Sequence, residues 1–275
     1  MNVTNGDNKP GAEWQFINSG FHPGEYNMWF DRLLVDRMVD GEPVSTLRVY
    51  GWTPFAVSLG YNQSIDDFNE NKCRKDGVDI VRRPTGGRAI LHADEVTYSV
   101  VTRANGRSVS DLYCSISKAL VAGLQELGVD AEFAPTQPDF PLLYKSQSSI
   151  PCFASSARHE IQHGGRKLVG SAQRRYRSNG RDDIVLQHGS ILLGEAHKNI
   201  SRYLSVQAAG VQESIQRDLD AKTIELNAIL SRKTSFDEVA RAVKTGFERE
   251  WRINFAESTM SAPPMIGGAE LVEAE

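Results

Sequence analysis

The order of apolar segments along the chain constrains its fold more than any other feature. Short apolar runs typical of strands lie between longer segments with helical periodicity, and the two types do not alternate regularly. This irregular order favours an α+β fold, a mixed and largely antiparallel sheet with flanking helices, over a doubly wound parallel sheet. The predicted helices are Tyr26–Val39, Ser110–Leu127 and Ser235–Trp251, and the predicted strands are Leu47–Trp52, Phe55–Tyr61, Val78–Arg83, Glu95–Thr102, Arg166–Ala172 and Ile184–Leu193, the last one bent or paired around Gly189.

Two helices and one hairpin have the clearest local signals. Ser110 can cap the start of the second helix, and Gly128 ends it. Ser235 and Glu238 have the spacing of a capping box at the start of the third helix. The pair Gly164-Gly165 is a favoured two-residue turn, so the segments on either side of it are predicted to form a β-hairpin.

The composition is that of a globular protein and argues against several classes of partner. The 275 residues are 40% hydrophobic, which suffices for one large domain with a substantial core or for two small ones. The net charge of −4 gives no reason to expect binding to nucleic acid or to an anionic membrane. The polar N-terminal segment has no apolar core, and no apolar run is long enough to span a bilayer, so neither a signal peptide nor a membrane segment is predicted.

The three cysteines are widely spaced and odd in number. They fit neither a disulfide framework nor a CxxC zinc site, so a reducing, cytoplasmic location is expected. A lone cysteine is ordinarily a small, inert, buried residue, and this interpretation covers Cys73 and Cys114. Cys152 differs because Lys167, on the predicted hairpin, follows fifteen positions later, and a nearby ammonium would lower the pKa of the thiol.

A basic, glycine-containing segment follows the predicted strand that ends at Arg83. Residues 82–92 read Arg-Arg-Pro-Thr-Gly-Gly-Arg-Ala-Ile-Leu-His. Glycines let backbone N–H groups approach a ligand closely, and arginines supply charge and forked donors, so this segment is predicted to bind a group that carries oxygens. A basic surface turn is the alternative, since Gly-Gly after Pro-Thr is common turn chemistry. The segment is neither a P-loop nor a GxGxxG motif, so it does not predict a nucleotide-binding fold.

A second glycine-containing segment, residues 165–173, lies in a predicted strand and reads Gly-Arg-Lys-Leu-Val-Gly-Ser-Ala-Gln. Lys167, Val169 and Ser171 are expected on one face of that strand. Gly170 inside a strand indicates a bulge, or the close approach of a ligand or another backbone. The ordinary alternative for Lys167 is an exposed lysine with no function.

Two histidine motifs have competing interpretations. Residues 159–163, His-Glu-Ile-Gln-His, match the HExxH pattern of zinc proteases, but that chemistry requires a helix and two glycines follow at once. A zinc protease is therefore not favoured, and no metal site is predicted. His188 is either a buried core histidine or half of a dyad with Ser190, for which no third residue is identifiable.

Three segments, in this order along the chain, resemble the biotin/lipoate protein ligase superfamily: residues 82–92, residues 165–173 and residues 186–190, Leu-Gln-His-Gly-Ser. The resemblance covers roughly residues 14–256 and implies one catalytic domain of that superfamily's fold. Residues 1–13 are then a loose N-terminus. Residues 257–275, rich in proline, glycine and glutamate, are expected to be a disordered tail.

Within the superfamily the chain is most similar to cysteine-dependent octanoyltransferases of the LipM type, because Pro151-Cys152-Phe153 and Lys167 match their nucleophile and lysine. The resemblance implies that an octanoyl group passes from acyl carrier protein, through a thioester on Cys152, to a lysine of a lipoyl-domain protein such as glycine cleavage H protein. The resemblance implies no cofactor, and it implies that Lys167 is the second catalytic residue. The substrate-binding residues that the resemblance implies are Arg83, Thr85, Gly86, Gly87, Arg88, His92, Gly170, Ser171 and His188.

Two other functions stay open. ATP-dependent lipoate ligases of the superfamily form an acyl adenylate, which Lys167 would contact, and Cys152 would then be incidental. Such ligases tend to carry a third glycine where this chain has Arg88, and often an accessory C-terminal domain, for which the residues after 256 are expected to be too few. The other alternative is a protein that binds acyl carrier protein without catalysis.

Overall fold

The computed structural model describes residues 13–133, 160–178, 181–205 and 210–256. The predicted N-terminal extension before residue 13 and the predicted tail lie outside these stretches, as does Cys152. The described helices are α1 Gly24–Val39, α2 Glu70–Lys75, α3 Val109–Glu126, α4 Val211–Lys222, α5 Leu226–Leu230 and α6 Phe236–Trp251, with 3₁₀ segments at Ile65–Asp67 and Glu195–Tyr203. The described strands are β1 Trp14–His22, β2 Ser45–Trp52, β3 Ala56–Leu59, β4 Asp79–Arg82, β5 Ile90–His92, β6 Glu95–Arg103, β7 Glu132–Phe133, β8 Ile161–His163, β9 Arg166–Ser178, β10 Arg181–Leu192 and β11 Phe255–Ala256.

These strands form two sheets. The larger has the order β11-β1-β2-β6-β10-β9-β8-β7, and the smaller has the order β4-β3-β5. Parallel pairing is confined to β1 with its neighbours β2 and β11, and to β3 with β4; the other pairs are antiparallel. This arrangement confirms the predicted α+β fold with a mixed, largely antiparallel sheet.

The larger sheet is covered on both faces, which explains why its central strands are buried along their whole length. On one face, residues of α3 and α6 pack with β2, β6 and β10 in a single apolar cluster. On the other face, α1 contributes Phe30, Leu34 and Met38, which pack against Val101 of β6 and Leu186 of β10. Side chains that alternate along β6 and β10 therefore enter two different environments.

Helices α3 and α6 touch through their backbones at two glycines. A Cβ atom on Gly246 would collide with the backbone of Ala119 and Gly123 in α3. A Cβ atom on Gly123 would in turn collide with the carbonyl of Ala242 in α6. The absence of side chains at both positions therefore sets how closely the two helices approach.

Of the two helix N-caps predicted from the sequence, one is confirmed and one is wrong. Ser235 accepts a hydrogen bond from the Glu238 N–H at 3.2 Å, so this predicted cap is confirmed. The cap predicted at Ser110 is wrong: Ser108 accepts from the Asp111 N–H at 3.1 Å, and the helix begins at Val109. A serine three residues before an aspartate offered an equally good cap two positions earlier.

The predicted hairpin is confirmed. Gly164 and Gly165 have φ values of 54° and 72°, in the left-handed region that a tight two-residue turn requires. The prediction of a bend or a strand pair around Gly189 is wrong, because β10 pairs continuously with β6 and β9 through that residue. A Cβ atom on Gly189 would collide with the Gly170 carbonyl and crowd Ser171, so this glycine permits close packing rather than a bend.

Several elements were not predicted, among them β1, β5, α2 and α4. The elements β5 and α2 are short and α4 is largely polar, so their local signals are weak. The strand β1 is longer and has four large apolar residues, but it is interrupted by Asn18, Ser19 and Gly20. In the part of the chain that the structure describes, no helix combines the length and the apolar character needed to cross a membrane.

Candidate active site

A cleft lies between the two sheets, beside helix α1. The space between its walls is about 380 Å³, part of which is open solvent. It is lined by Met28, Tyr50, Trp52, Ser58, Arg83, Ile90, His92, Thr97, Gly170, Ser171, Ala172, His188, Gly189 and Ser190. Apolar walls with a few convergent polar groups suit a ligand that is mainly apolar and polar at one place.

The loop from β4 to β5 borders the cleft and is held together by one arginine. The Arg83 guanidinium donates to the carbonyl of Ser58 at 3.0 Å, of Gly86 at 2.9 Å and of Arg88 at 2.6 Å. Arg83 is only 4% exposed, so its charge serves to fold the loop as well as to line the cleft. Carbonyl groups of a tight loop that would otherwise lack partners are satisfied in this way.

The same loop is packed closely on both sides. A Cβ atom on Gly60, at the end of β3, would collide with the Gly87 carbonyl, and Gly87 itself has a φ of 91°. From the larger sheet, Arg174 of β9 donates to the Pro84 carbonyl at 2.8 Å. Its guanidinium also lies 4.5 Å from the centre of the Tyr61 ring, a cation–π distance. The glycines of this loop therefore allow close approach of backbones.

Thr85 joins the loop to the larger sheet through its side chain. Its hydroxyl oxygen lies 2.7 Å from Nε2 of His188, and Nδ1 of His188 lies 3.0 Å from Oδ2 of Asp31 in α1. Thr85 and Asp31 are fully buried, whereas His188, 5% exposed, lines the cleft. Of the two alternatives for His188, the buried histidine is therefore correct. The dyad is not formed, since the Ser190 hydroxyl donates to Glu95 at 2.8 Å.

Asp31 is the centre of a buried polar cluster. Its Oδ1 accepts from Arg48 Nη1 and from the Ser99 hydroxyl, both at 2.8 Å, and its Oδ2 accepts from the Tyr50 hydroxyl at 3.0 Å. Burial alone would raise the pKa of Asp31, but the hydrogen bond from His188 and the charge of Arg48 outweigh it and hold the pKa below its ordinary value. Asp31 is therefore an anion at neutral pH.

The state of His188 follows from the same contacts. Burial lowers the pKa of His188, and the opposing hydrogen bond and charge of Asp31 do not reverse that direction. The imidazole is therefore neutral at pH 7. Because a carboxylate can only accept, Nδ1 carries the proton and donates to Asp31, and Nε2 accepts from the Thr85 hydroxyl.

A second buried cluster surrounds Glu95 at the floor of the cleft. Its Oε1 accepts from the Ser190 hydroxyl at 2.8 Å and from the Thr97 hydroxyl at 2.5 Å, and lies 2.8 Å from Nδ1 of His92. The His92 ring is stacked on Trp52, with ring centres 3.9 Å apart. The other oxygen of the Glu95 carboxylate, Oε2, is buried and has no hydrogen-bond partner among the described residues, so Glu95 is only partly satisfied.

Lys167 is buried, at 1% exposure, and forms an ion pair with Glu160 at 2.7 Å. Lys167 does not belong to the lining of the cleft as the described residues define it. The pairing of β8 with β9 shifts by one residue beside Lys167, which interrupts the alternation of side chains expected from Lys167 to Ser171. Residues 160–163 are the described part of the HExxH pattern, and the last three of them form strand β8 rather than a helix. The glutamate of this pattern, Glu160, forms the ion pair with Lys167.

The structure brings together a subset of the predicted site residues. Arg83, His92, Gly170, Ser171 and His188 line the cleft, and Thr85 contacts His188 from behind it. The cleft lining does not include Gly86, Gly87 or Arg88, and Arg88 is buried in the adjoining loop. Cys152 lies outside the described residues, so its distance to Lys167 stays a prediction. Of the other two cysteines, Cys73 is buried, which raises the pKa of its thiol to about 11.

Three acidic residues of these clusters were not identified from the sequence: Asp31, Glu95 and Glu160. Asp31 had a usable signal, because it shares a helix face with Leu34 and Met38, where a charged residue is unusual. Arg48, inside an otherwise buried strand, gave the matching signal. Nothing local to Glu95 or Glu160 indicated a partner.

Comparison with known proteins agrees with this architecture. Residues 23–248 match the family model of the lipoyl protein ligase A/B catalytic domain. The chain is 34% identical over 268 residues to Octanoyltransferase LipM of Geobacillus kaustophilus, with 95% of each chain covered. It is 34% identical over 242 residues to Octanoyltransferase LipM of Bacillus subtilis, covering 86% of this chain and 85% of the relative.

Solved structures give the same fold. A bipartite lipoate protein ligase of Thermoplasma acidophilum superposes with a TM-score of 0.70 at 20% identity, covering 91% of this chain and 88% of the other. A lipoate-protein ligase A bound with ATP superposes with a TM-score of 0.70 at 22% identity, covering 90% of each chain. The chain belongs to the lipoyl protein ligase A/B catalytic domain family.

Proposed function

We propose that this protein is an octanoyltransferase of lipoate biosynthesis, a cysteine-dependent acyltransferase that needs no cofactor. The observation that carries the proposal is the similarity to Octanoyltransferase LipM of Geobacillus kaustophilus over 95% of both chains. The cleft supports it, because apolar walls beside a glycine-containing loop suit an acyl chain whose carbonyl must be reached by backbone donors.

The reaction proceeds in two acyl transfers. In the first, the Cys152 thiolate attacks the thioester carbonyl of octanoyl-acyl carrier protein; a carbon–sulfur bond to the enzyme forms, and the bond to the carrier sulfur breaks. The carrier thiolate leaves and takes up a proton. In the second, the amine of a lipoyl-domain lysine attacks the enzyme thioester, the carbon–nitrogen bond of an amide forms, and Cys152 is released as its thiolate while the amine gives up a proton.

Lys167 keeps Cys152 reactive in this mechanism. A thiolate is the nucleophilic form of cysteine, and a nearby ammonium stabilises it. Burial would discharge an isolated lysine, whereas the Glu160 carboxylate at 2.7 Å favours the charged ammonium. The role of Cys152 itself rests on the sequence match, since the residue lies outside the described stretches.

The cleft binds the acyl chain, with Arg83, His92, Gly170, Ser171 and His188 among the residues that line it. As oxyanion donors we propose backbone N–H groups around Gly86-Gly87, in the loop beside the cleft, and around Gly170-Ser171, where β9 directs one of the two N–H groups away from β10. Each methylene buried against the walls contributes about 0.8 kcal/mol, so selection for chain length is modest per carbon. A lipoyl-domain protein, such as glycine cleavage H protein, is the acceptor.

The decisive experiment is intact mass spectrometry of the protein after incubation with octanoyl-acyl carrier protein. We expect one octanoyl adduct on the wild-type protein and none on the Cys152→Ala variant, because only Cys152 forms the thioester. Cys114→Ala is the matched control, since Cys114 is a partly accessible thiol; this variant is expected to keep the adduct.

Three results would contradict the proposal. One is transfer of octanoate to a lipoyl domain by the Cys152→Ala variant at the wild-type rate. Another is loss of the octanoyl adduct in the Cys114→Ala variant. The third is consumption of free lipoate that requires ATP, which would favour the ligase chemistry of the superfamily instead.

A further inference from the structure

We propose that Thr85 is a positioning residue of this enzyme: its hydroxyl, held by His188 and Asp31, fixes the glycine loop beside the acyl cleft. This inference rests on the proposed function for its effect on the reaction rate, and on the described geometry alone for its effect on the loop.

The contacts form one continuous chain from helix α1 to the loop. Asp31 Oδ2 lies 3.0 Å from His188 Nδ1, and His188 Nε2 lies 2.7 Å from the Thr85 hydroxyl oxygen. With the carboxylate able only to accept, the Nδ1 proton is committed to Asp31, which leaves Nε2 as an acceptor. The Thr85 hydroxyl therefore donates its proton to His188 Nε2, and this hydrogen bond fixes the rotamer of the threonine side chain.

Thr85 and His188 differ in whether they reach the cleft. Thr85 is fully buried and does not line the cleft, whereas His188 does. A ligand in the cleft therefore meets the imidazole and not the threonine hydroxyl. The Thr85 hydroxyl acts on the reaction only through the backbone that it holds.

That backbone is the start of the glycine pair. Gly86 and Gly87 follow Thr85 directly, and an added Cβ atom on Gly86 would meet nothing within 4 Å. Without side chains, the two residues rely on their neighbours for a fixed conformation. Thr85 to His188 and Pro84 to Arg174 both join this loop to the larger sheet. Donors that must meet a developing oxyanion work best when they are fixed in advance.

The connectivity of Thr85, His188 and Asp31 is that of a hydroxyl–imidazole–carboxylate triad, in which the hydroxyl is the nucleophile. Full burial of Thr85 argues against that role here. The two roles differ in one measurable way, since a nucleophilic Thr85 would carry the octanoyl group as an ester.

The test compares Thr85→Val, which removes the hydroxyl at nearly constant shape, with Thr85→Ser, which keeps it. The matched control is Thr102→Val, because the hydroxyl of Thr102 is also buried, but it lies in β6, outside the loop, and 2.9 Å from the Ser45 hydroxyl. The first measurement is hydrogen exchange of backbone amides in residues 84–91 of the free protein. We expect faster exchange in Thr85→Val, and wild-type exchange in Thr85→Ser and Thr102→Val.

The second measurement is transfer of octanoate to a lipoyl domain. Thr85→Val is expected to lower kcat on the order of tenfold to a hundredfold, as a displaced catalytic loop does, with KM for octanoyl-acyl carrier protein changed by less than about twofold. Thr85→Ser is expected to recover most of kcat. A structural role alone would lower kcat equally in Thr85→Val and Thr102→Val.

The outcomes separate this inference from the proposed function. If wild-type protein forms no octanoyl adduct, the proposed function fails, while the exchange measurement still decides the positioning role. If the adduct forms but Thr85→Val exchanges its loop amides like wild type, the positioning role is overturned. Peptide mapping that finds octanoate on Thr85 would overturn it as well, in favour of the triad.

Discussion

Asp31 and Arg48 show how a single buried pair can organise a site. Both side chains are fully buried, and their oxygen and nitrogen atoms lie 2.8 Å apart. Such a pair need not stabilise a protein relative to apolar residues, because both charges lose their hydration. Its value here is orientation: Asp31 faces His188, Tyr50 and Ser99 at once, and the Arg48 guanidinium fills the space between Phe30 and Tyr50.

Removing one partner of this pair should be costly. We expect Asp31→Ala to lower the free energy of unfolding by about 3–5 kcal/mol, since it leaves the Arg48 charge buried without its counter-ion. Urea denaturation followed by circular dichroism measures the change. Asp36→Ala is the matched control on the same helix: Asp36 pairs with Arg32 at the surface, so a change within about 0.5 kcal/mol is expected. Equal changes in the free energy of unfolding for the two substitutions would show that burial of the Asp31–Arg48 pair does not determine the cost.

At the scale of elements, the contact between α3 and α6 reverses an ordinary rule. Alanine is a better helix former than glycine by about 1 kcal/mol, so Gly246→Ala would stabilise an isolated helix. In the folded protein the added methyl group would collide with backbone atoms of α3, which cannot rotate away as a side chain can. Helix packing and helix propensity therefore act in opposite directions at this position.

We expect Gly246→Ala to destabilise the protein by about 1–3 kcal/mol, the ordinary cost of overpacking, measured as a lower urea midpoint. Thr245→Ala is the matched control, because Thr245 is the preceding residue of the same helix and is exposed. That substitution should raise stability by a few tenths of a kcal/mol through propensity alone. A stabilising effect of Gly246→Ala would mean that the helices do not touch as described.

At the scale of the whole molecule, two buried histidines link stability to pH. Burial lowers the pKa of His188 and of His197, in each case against opposing interactions with neighbouring carboxylates or carbonyls. Both rings are therefore neutral in the folded protein at pH values where they are charged in the unfolded chain. A group whose pKa is lowered by folding contributes stability above its unfolded value, near 6.5, and that contribution is lost as the pH falls.

We expect the free energy of unfolding to fall as the pH is lowered from about 7 to 5.5, with a slope of up to about 1.4 kcal/mol per pH unit from each histidine. Urea denaturation at a series of pH values measures this slope. The substitutions His188→Gln and His197→Gln should each reduce the slope, and together should reduce it further. A wild-type slope that neither substitution alters would show that other groups dominate the acid response.

The sequence predicted the fold class and several local features, although the cap at Ser110 and the bend at Gly189 were wrong, and it failed for the buried charged pairs. Gly164-Gly165 and Ser235 were identified because a turn or a cap is determined within a few positions. The pairs of Asp31 with Arg48 and of Glu160 with Lys167 were missed, since a charged residue does not indicate which partner it meets. The resemblance identified the loop around Thr85, but only the structure shows that the threonine contacts a histidine 103 positions later.

The pairing of β1 with β11 has a consequence for the order in which the chain folds. Trp14 lies opposite Phe255 in this parallel pair, and the Trp14 ring also contacts Trp251 at 5.0 Å. Contacts between residues so far apart in the chain require a large loop to close before they form. During synthesis on a ribosome, β1 must therefore wait for nearly the whole domain to emerge before it is covered from that side. This edge of β1 therefore stays unpaired in the growing chain until residues 255 and 256 have been added.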